Sequence, residues 1–252
     1  MDSIEQRRAV LKSMFGRTPS PMSQAPQAQG APAPEYVRPA RQRPVVDLPG
    51  PDEADLVKTE VRTCIAQRQS RRQFSEAPLT LAELAWLLWA TQGLRRNDGG
   101  VPRWRTVPSA GARHPFETYV AAWRIDGLSQ DTIYRYMPAT HQLETLATVE
   151  DLAARVVEAS CNQQWIGRAA GAVLWACVPA RSEYRYGLDA VKLCLLDAGH
   201  IAQNLYLAAE AIDAGVCGVG AYDQDAIDHL LDLDGRDEMI VYYSPVGKNG
   251  RL

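Results

Sequence analysis

From Asp189 to Ala214 the chain holds no proline and only one glycine, Gly199, and Gly215 follows directly. Such a stretch reads as one helix stopped by glycine, spanning on the order of 35–40 Å at 1.5 Å per residue. A helix that long crosses a small domain from side to side, so it is the spine around which the rest must be arranged. Asp197, His200 and Asn204 lie on one narrow arc of it, at spacings of three and four. That arc is either a satisfied internal polar network or part of a site.

The best-specified of the other elements is Leu79-Thr80-Leu81-Ala82-Glu83-Leu84. Thr80 is placed to cap a helix, Glu83 to return the bond three residues on, and Leu79 with Leu84 to staple the entry. The helix continues as LAELAWLLWATQ to Gly93 and is apolar nearly all round, which buries it on more than one side, in a core or a subunit interface. Hydrophobic periodicity predicts further helices over 54–67 and 149–160 and one beginning near Asp223. Strands are expected over 116–124, 132–137, 171–178, 216–219 and 239–246. Without a regular βαβ repeat, this mixture favours an α+β fold.

Residues 16–52 are rich in Pro, Ala and Gln, as in PSPMSQAPQAQGAPAPEY. They offer too little apolar surface to offset ordering entropy, so residues 1–52 are expected to be a disordered tail and residues 53–252 the folded domain. Within the tail, Ile4, Leu11, Met14 and Phe15 share a helical face, which suits a short amphipathic helix over 2–15 that either frays or docks on a protein partner. Arg7-Arg8 superficially resembles an export signal but lacks the apolar stretch and small-residue site that should follow. The net charge of −3 argues against nucleic acid and anionic membrane as general partners. No apolar run approaches the ~20 residues needed to span a bilayer. The five cysteines are scattered without metal-ligand spacing, consistent with reduced thiols, a cytoplasmic protein and no metal.

Three stretches could carry chemistry. If Arg68-Gln69-Ser70-Arg71-Arg72 is extended, Arg68, Ser70 and Arg72 face one side, as a phosphate site would need or as a solvated basic turn would show. In Pro108-Ser109-Ala110-Gly111-Ala112-Arg113-His114-Pro115, small residues between two prolines let backbone approach a flat ligand, unless this is an ordinary loop. Gly218-Val219-Gly220-Ala221-Tyr222-Asp223 is a strand-to-helix turn with backbone N–H groups available to a ligand, a weak signal alone. No nucleophile beside a base, no paired carboxylates and no metal cluster stand out.

In this order, QRQSRRQF, APLTLAELAWLLWATQG, RTVPSAGARHPFETYV, DAGHIAQNLYLAAEAIDAGVCGVGAYD and YYSPVGK resemble the nitroreductase family of FMN-dependent oxidoreductases. The likeness covers about residues 60–249 and is nearest to the branch that contains azoline-forming dehydrogenases. It implies a nitroreductase-like α+β fold with a central mixed sheet flanked by helices, an interlocked homodimer, and FMN at the subunit interface.

Carried over by residue, it implies that Arg68, Ser70 and Arg72 contact the phosphate, ribityl chain or ring edge, with Lys248 near the phosphate. Pro108, Ser109, Ala110 and Ala112 would pack against FMN from the other subunit, and Gly218, Gly220 and Ala221 would approach N5. Arg113, His114, His200, Gln203 and Asn204 would line the site, and no residue beyond the flavin is expected to be catalytic. The implied reaction passes hydride from NAD(P)H through flavin N5 to a nitroaromatic, quinone or similar acceptor by a ping-pong mechanism. The alternatives are a dehydrogenase of a specific metabolite or peptide heterocycle and a non-catalytic flavin-fold assembly factor. One departure weakens the peptide-heterocycle reading: where that branch has a YGxRxYR-like run, this chain has Tyr186-Gly187-Leu188-Asp189-Ala190-Val191-Lys192.

Overall fold

A computed structural model describes residues 4, 8–13, 15, 16, 18–95 and 104–250. Seven strands, β1 (Val45–Asp47), β2 (Phe116–Ala122), β3 (Thr132–Met137), β4 (Gln142–Thr148), β5 (Gly171–Cys177), β6 (Ala214–Val216) and β7 (Met239–Lys248), form one sheet in the order β1-β4-β3-β2-β5-β7-β6. All six ladders between these strands are antiparallel, and among the described residues Leu79 and Ile125 form an isolated parallel bridge. The helices are α1 (Pro21–Gln24), α2 (Val61–Gln67), α3 (Leu81–Gln92), α4 (Leu152–Ala159), α5 (Ala180–Tyr186), α6 (Ala190–Ala211) and α7 (Gln224–Leu230).

The central strands β2 and β5 are buried on both faces and serve two cores. Val120, Val173 and Trp175 pack on one face against Leu84, Leu87 and Leu88 of α3 and Ile201 and Leu205 of α6. Tyr119, Leu174 and Ala176 alternate to the other face, against Leu152 and Val156 of α4 and Ile227 of α7. This is the period-two alternation of a strand between two helical layers.

The capping box forms as expected: Glu83 N–H donates to Thr80 Oγ1 at 3.2 Å and Thr80 N–H to Glu83 Oε2 at 3.0 Å. The helix expected over 54–67 is confined to Val61–Gln67. Residues before it turn their amides to another task, with Val57 and Lys58 N–H both donating to Ala211 O, at 2.8 and 3.1 Å, at the carboxyl end of α6. The strand expected over 216–219 pairs with β7 over Ala214–Val216. Strands β1 and β4 and helix α5 have no counterpart in the sequence-based expectations.

Residues 18–52 make several contacts with the rest of the chain. Their amides and carbonyls are among the groups engaged: Gln27 N–H donates to Tyr184 O, Tyr184 OH to Ala31 O, and β1 pairs with β4. Buried arginines fix the middle of the segment. Arg181 Nε donates to Glu35 O at 2.9 Å, Arg105 to Tyr36 O at 3.4 Å and Arg135 to Pro39 O at 2.8 Å. Arg38 adds an ion pair with buried Glu238. Polar capture thus replaces the hydrophobic burial that the composition lacks. Of the helix expected over 2–15, residues 2, 3, 5–7 and 14 lie outside the described residues; Ala9–Leu11 form a 3-10 turn and Leu11 O accepts from Lys192 Nζ.

Candidate functional site

Arg68 ends α2 with φ −53° and ψ 129°, so the chain leaves the helix extended. In that geometry alternate residues share a side. Arg68 lies over the ring of Tyr206 at 5.3 Å, and Ser70 Oγ is 2.9 Å from the Tyr206 hydroxyl. Gly218 N–H donates to the same hydroxyl at 2.9 Å. Tyr206 of α6 therefore ties the 68–72 stretch to the Gly218 turn.

Arg72 stacks over Trp165 at 5.5 Å, and Arg71 turns away to Glu210, with its amide on Val216 O. Among the described residues, neither Arg68 nor Arg72 has a carboxylate within ion-pair distance. A cavity of about 220 Å³ opens here, lined by Ser70, Arg71, Arg72 and Gly250. Two guanidiniums without a counter-charge and a hydroxyl beside a cavity form a donor set suited to an organic phosphate.

The Gly218 turn shows two different needs for glycine. A Cβ on Gly218 would lie 1.9 Å from the Tyr242 hydroxyl, so this position is reserved by packing inside the chain. A Cβ on Gly220 would meet nothing within 4 Å. Gly220 and Ala221 are exposed and present their backbone to open space, which is the property a closely approaching planar ligand requires.

The Ser109–Ala112 segment is a single 3-10 turn in which Gly111 has φ 55° and Ala112 φ 52°. His114 N–H donates to Ser109 Oγ at 2.8 Å, and Ala110 N–H donates to Asp197 Oδ1 at 3.2 Å. Burial pushes the Asp197 carboxyl above its ordinary range, while the Ser109 hydroxyl and the Ala110 amide pull it partly back. Arg113 and His114 are buried, and Arg113 stacks on Tyr36 at 4.6 Å. Pro108, Ser109, Ala112, Arg113 and His114 line a second cavity of about 680 Å³.

The single chain keeps these halves apart. Tyr206 anchors one and Asp197 the other, nine positions along α6, or about 13 Å along its axis. The arc of Asp197, His200 and Asn204 also divides: Asp197 is buried, His200 and Gln203 are exposed, and Asn204 Nδ2 donates to Ala90 O at 2.8 Å. Lys248 is not available to the 68–72 stretch, because its Nζ pairs with Glu83 and reaches Ile212 O at 3.2 Å.

Along the same helix and the 3-10 turn before it an apolar face stays open, with Leu188 81%, Val191 53% and Leu195 and Leu196 each 51% exposed. Tyr206, Trp165 and Tyr36 are the contributors that the sequence reading lacks. Tyr206 could have been found by following the open face of the long helix, whereas Trp165 and Tyr36 have no local signal. Among the described residues, no group of metal-ligating side chains and no helix long and apolar enough to cross a membrane occurs.

Comparison with known proteins bears on this arrangement. The model of the nitroreductase family matches residues 65–248. A Methanocaldococcus jannaschii protein named as a nitroreductase is 29% identical over 194 residues, covering 77% of this chain and 93% of its own. The microcin B17-processing protein McbC of Escherichia coli is 22% identical over 140 residues, 52% of this chain and 50% of that one. In solved structures, a protein of Ralstonia eutropha described as a nitroreductase superposes with TM-score 0.69 at 24% identity, over 88% of this chain and 98% of that one. A chain of the Escherichia coli microcin synthetase McbBCD complex, which carries truncated pro-MccB17, superposes with TM-score 0.63 at 18% identity, over 90% of this chain and 88% of that one.

Proposed function

The chain belongs to the nitroreductase family, and on that premise we propose that it is a homodimeric FMN-dependent oxidoreductase taking electrons from NAD(P)H and delivering them to a nitroaromatic, quinone or similar small acceptor. The observation that supports the reading is the convergence of Arg68, Ser70 and Gly218 on Tyr206, beside a cavity lined by Ser70 and Arg72, with neither Arg68 nor Arg72 paired to a carboxylate among the described residues. When bound, FMN supplies two-electron chemistry that no side chain here offers.

The protein's part is to bind and orient. Arg68, Ser70 and Arg72 hold the phosphate and polar chain. Gly220 and Ala221 admit the ring close to backbone. Pro108, Ser109, Ala110 and Ala112 cover the ring from a second copy, and Asp197 holds their turn in place. Arg113, His114, His200, Gln203 and Asn204 border the site, and Lys248 acts from behind it through Glu83. No residue needs to serve as an acid–base catalyst. A shared pocket that takes donor and acceptor in turn gives ping-pong kinetics.

Separation of the half-sites supports the dimer. Two copies packed antiparallel across the open face of α6 would exchange the Asp197 and Tyr206 ends of the helix, bringing each Ser109 turn to the partner's Arg68 cluster. Leu196→Glu places a charge in that face. It is expected to give a folded monomer that loses flavin, seen by sedimentation and absorbance; a flavin-loaded monomer would overturn the shared site.

The test of the activity is colour followed by turnover. Purified protein should show flavin absorbance, or gain it with FMN, and Arg68→Ala should weaken FMN retention by roughly tenfold or more. Protein that never takes up flavin would sink the reading in favour of a non-catalytic assembly factor. A second reading, a dehydrogenase of a specific metabolite or peptide heterocycle, draws support from the McbC likeness. It is favoured if NAD(P)H fails to reduce the bound flavin. Five free cysteines fit our reading that the protein is cytoplasmic.

A further inference from the structure

The cavity behind the Ser109 turn has an unusual charge. Among the described residues that line it are four arginines, Arg95, Arg105, Arg113 and Arg185, together with His114, and no aspartate or glutamate. Elsewhere in this protein buried arginines are neutralised: Arg181 pairs with Glu117, and Arg135 with Glu144 at 2.9 Å.

Among the described residues none of these four arginines has a carboxylate within ion-pair distance, and Glu117 acts on Arg105 only from further off. Arg105 donates to Gln92 Oε1, Phe116 O and Tyr36 O, and its buried Nε has no hydrogen-bond partner. Arg113 donates to Gly111 O and the Tyr36 hydroxyl, and Arg185 lies over the Tyr186 ring at 5.5 Å. Desolvation draws Arg105 down to about 10, as expected of a guanidinium buried without a full counter-charge. Burying uncompensated positive charge is costly unless something supplies the negative one.

We propose that this basin is the subsite for an anionic group, carboxylate or phosphate, on the small molecule that exchanges electrons at the flavin. The proposal rests on the oxidoreductase reading, which puts the Ser109 turn beside the reacting ring. Arg113 and Arg105 set the field at the floor, and Arg95 and Arg185 meet the anion where the cavity opens. Trp104, 58% exposed, gives an aromatic body a surface to lie on. About 680 Å³ accommodates a substituted aromatic ring or a nucleotide fragment. The basin is distinct from the Arg68–Ser70–Arg72 cluster, so it does not duplicate the cofactor phosphate site.

The test compares 4-nitrobenzoate with the neutral 4-nitrobenzamide as acceptors for the flavin-loaded protein, and titrates unreactive benzoate, benzamide and ADP-ribose by calorimetry with and without FMN. The carboxylate is expected to win by about tenfold or more in kcat/KM and in binding. Arg185→Gln and Arg95→Gln should each reduce that preference while leaving the neutral compound unchanged. These two are chosen because neither is wholly buried, and a circular-dichroism check on each excludes misfolding. Tight benzoate binding assigns the anion to the acceptor; ADP-ribose binding that is lost in the same variants assigns it to the nicotinamide donor. Equal binding of benzoate and benzamide with no ADP-ribose binding, or a preference untouched by both substitutions, would overturn the proposal. Calorimetry on flavin-free protein keeps this outcome separate from a failure of the flavin reading. Turnover of neutral nitroarenes without carboxylate preference would leave the oxidoreductase standing and remove the basin.

Discussion

Asp197 shows how one side chain links the spine helix to the candidate site. Its carboxylate is buried, holds the Ala110 amide and has one oxygen, Oδ2, with no hydrogen-bond partner. Burial raises its pKa in the folded state above the ordinary 3.8, so the folded chain keeps a proton that the unfolded chain has released. Its contribution to stability therefore falls as pH rises through the window between the unfolded and folded values, and stays as a penalty above it. Asp197→Asn keeps an acceptor for Ala110 and carries no charge. Its stability relative to wild type should be most favourable at neutral pH and shrink on acidification through that window, as urea unfolding at a series of pH values would show. A pH-independent difference would mean that the carboxylate is not the group responsible.

At this scale the sequence was legible where local geometry decides. Alternation along an extended strand placed Arg68 and Ser70 on one side, and they meet at Tyr206. Lys248 was illegible, because its partner Glu83 is 165 positions away and belongs to a capping box that looked locally complete. Arg113 and His114 follow the Ser109 turn, and Arg113 lies against Tyr36, from a segment that looked structureless.

Helix α3 carries the clearest prediction among the elements. Thr80→Ala removes one capping bond and should cost about 1 kcal/mol. Glu83→Ala removes the reciprocal bond and also the partly buried pair with Lys248, so it should cost more than Thr80→Ala, by comparison of urea midpoints. Equal losses would show that Lys248 gains nothing from Glu83.

Helix α3 was readable because a capping box and Gly93 mark its ends, and α6 because its length exceeds that of any competing strand, although it stops at Ala211 and Gly215 belongs to β6. Strand β4 was not, since it carries Glu144 inward, fully buried against Arg135, where a reader of hydrophobic alternation expects an apolar residue. Strand β1 is three residues long and sits among prolines, and α5 is a short, polar helix that packs on a longer one. Each of these is determined by partners distant in sequence.

For the molecule as a whole, polar contacts tie part of the segment before residue 52 to the rest of the chain. Glu35 O, Tyr36 O and Pro39 O accept from Arg181, Arg105 and Arg135, three side chains that are almost fully buried. Removing an acceptor from a buried charged donor costs about 1–3 kcal/mol or more. A chain shortened through Arg41 should therefore unfold at a clearly lower urea concentration than one shortened through Pro34. If the two unfold alike, these contacts contribute nothing. The composition of the segment speaks only to how little apolar surface it carries; its polar contacts with Arg105, Arg135 and Arg181 are beyond what composition encodes.

That capture has a consequence for how the chain is made. The carbonyls of residues 35–39 leave the ribosome first, yet their partners are Arg105, Arg135 and Arg181, and Arg38 needs Glu238 near the other end. During synthesis the leading segment has to wait, unattached, until nearly the whole polypeptide has emerged. A run of proline, alanine and glutamine suits a waiting segment, because it has no apolar surface with which to bind the wrong neighbour in the interval. Residues 35–39 are thus made before the side chains that hold them and complete their contacts after those side chains have emerged.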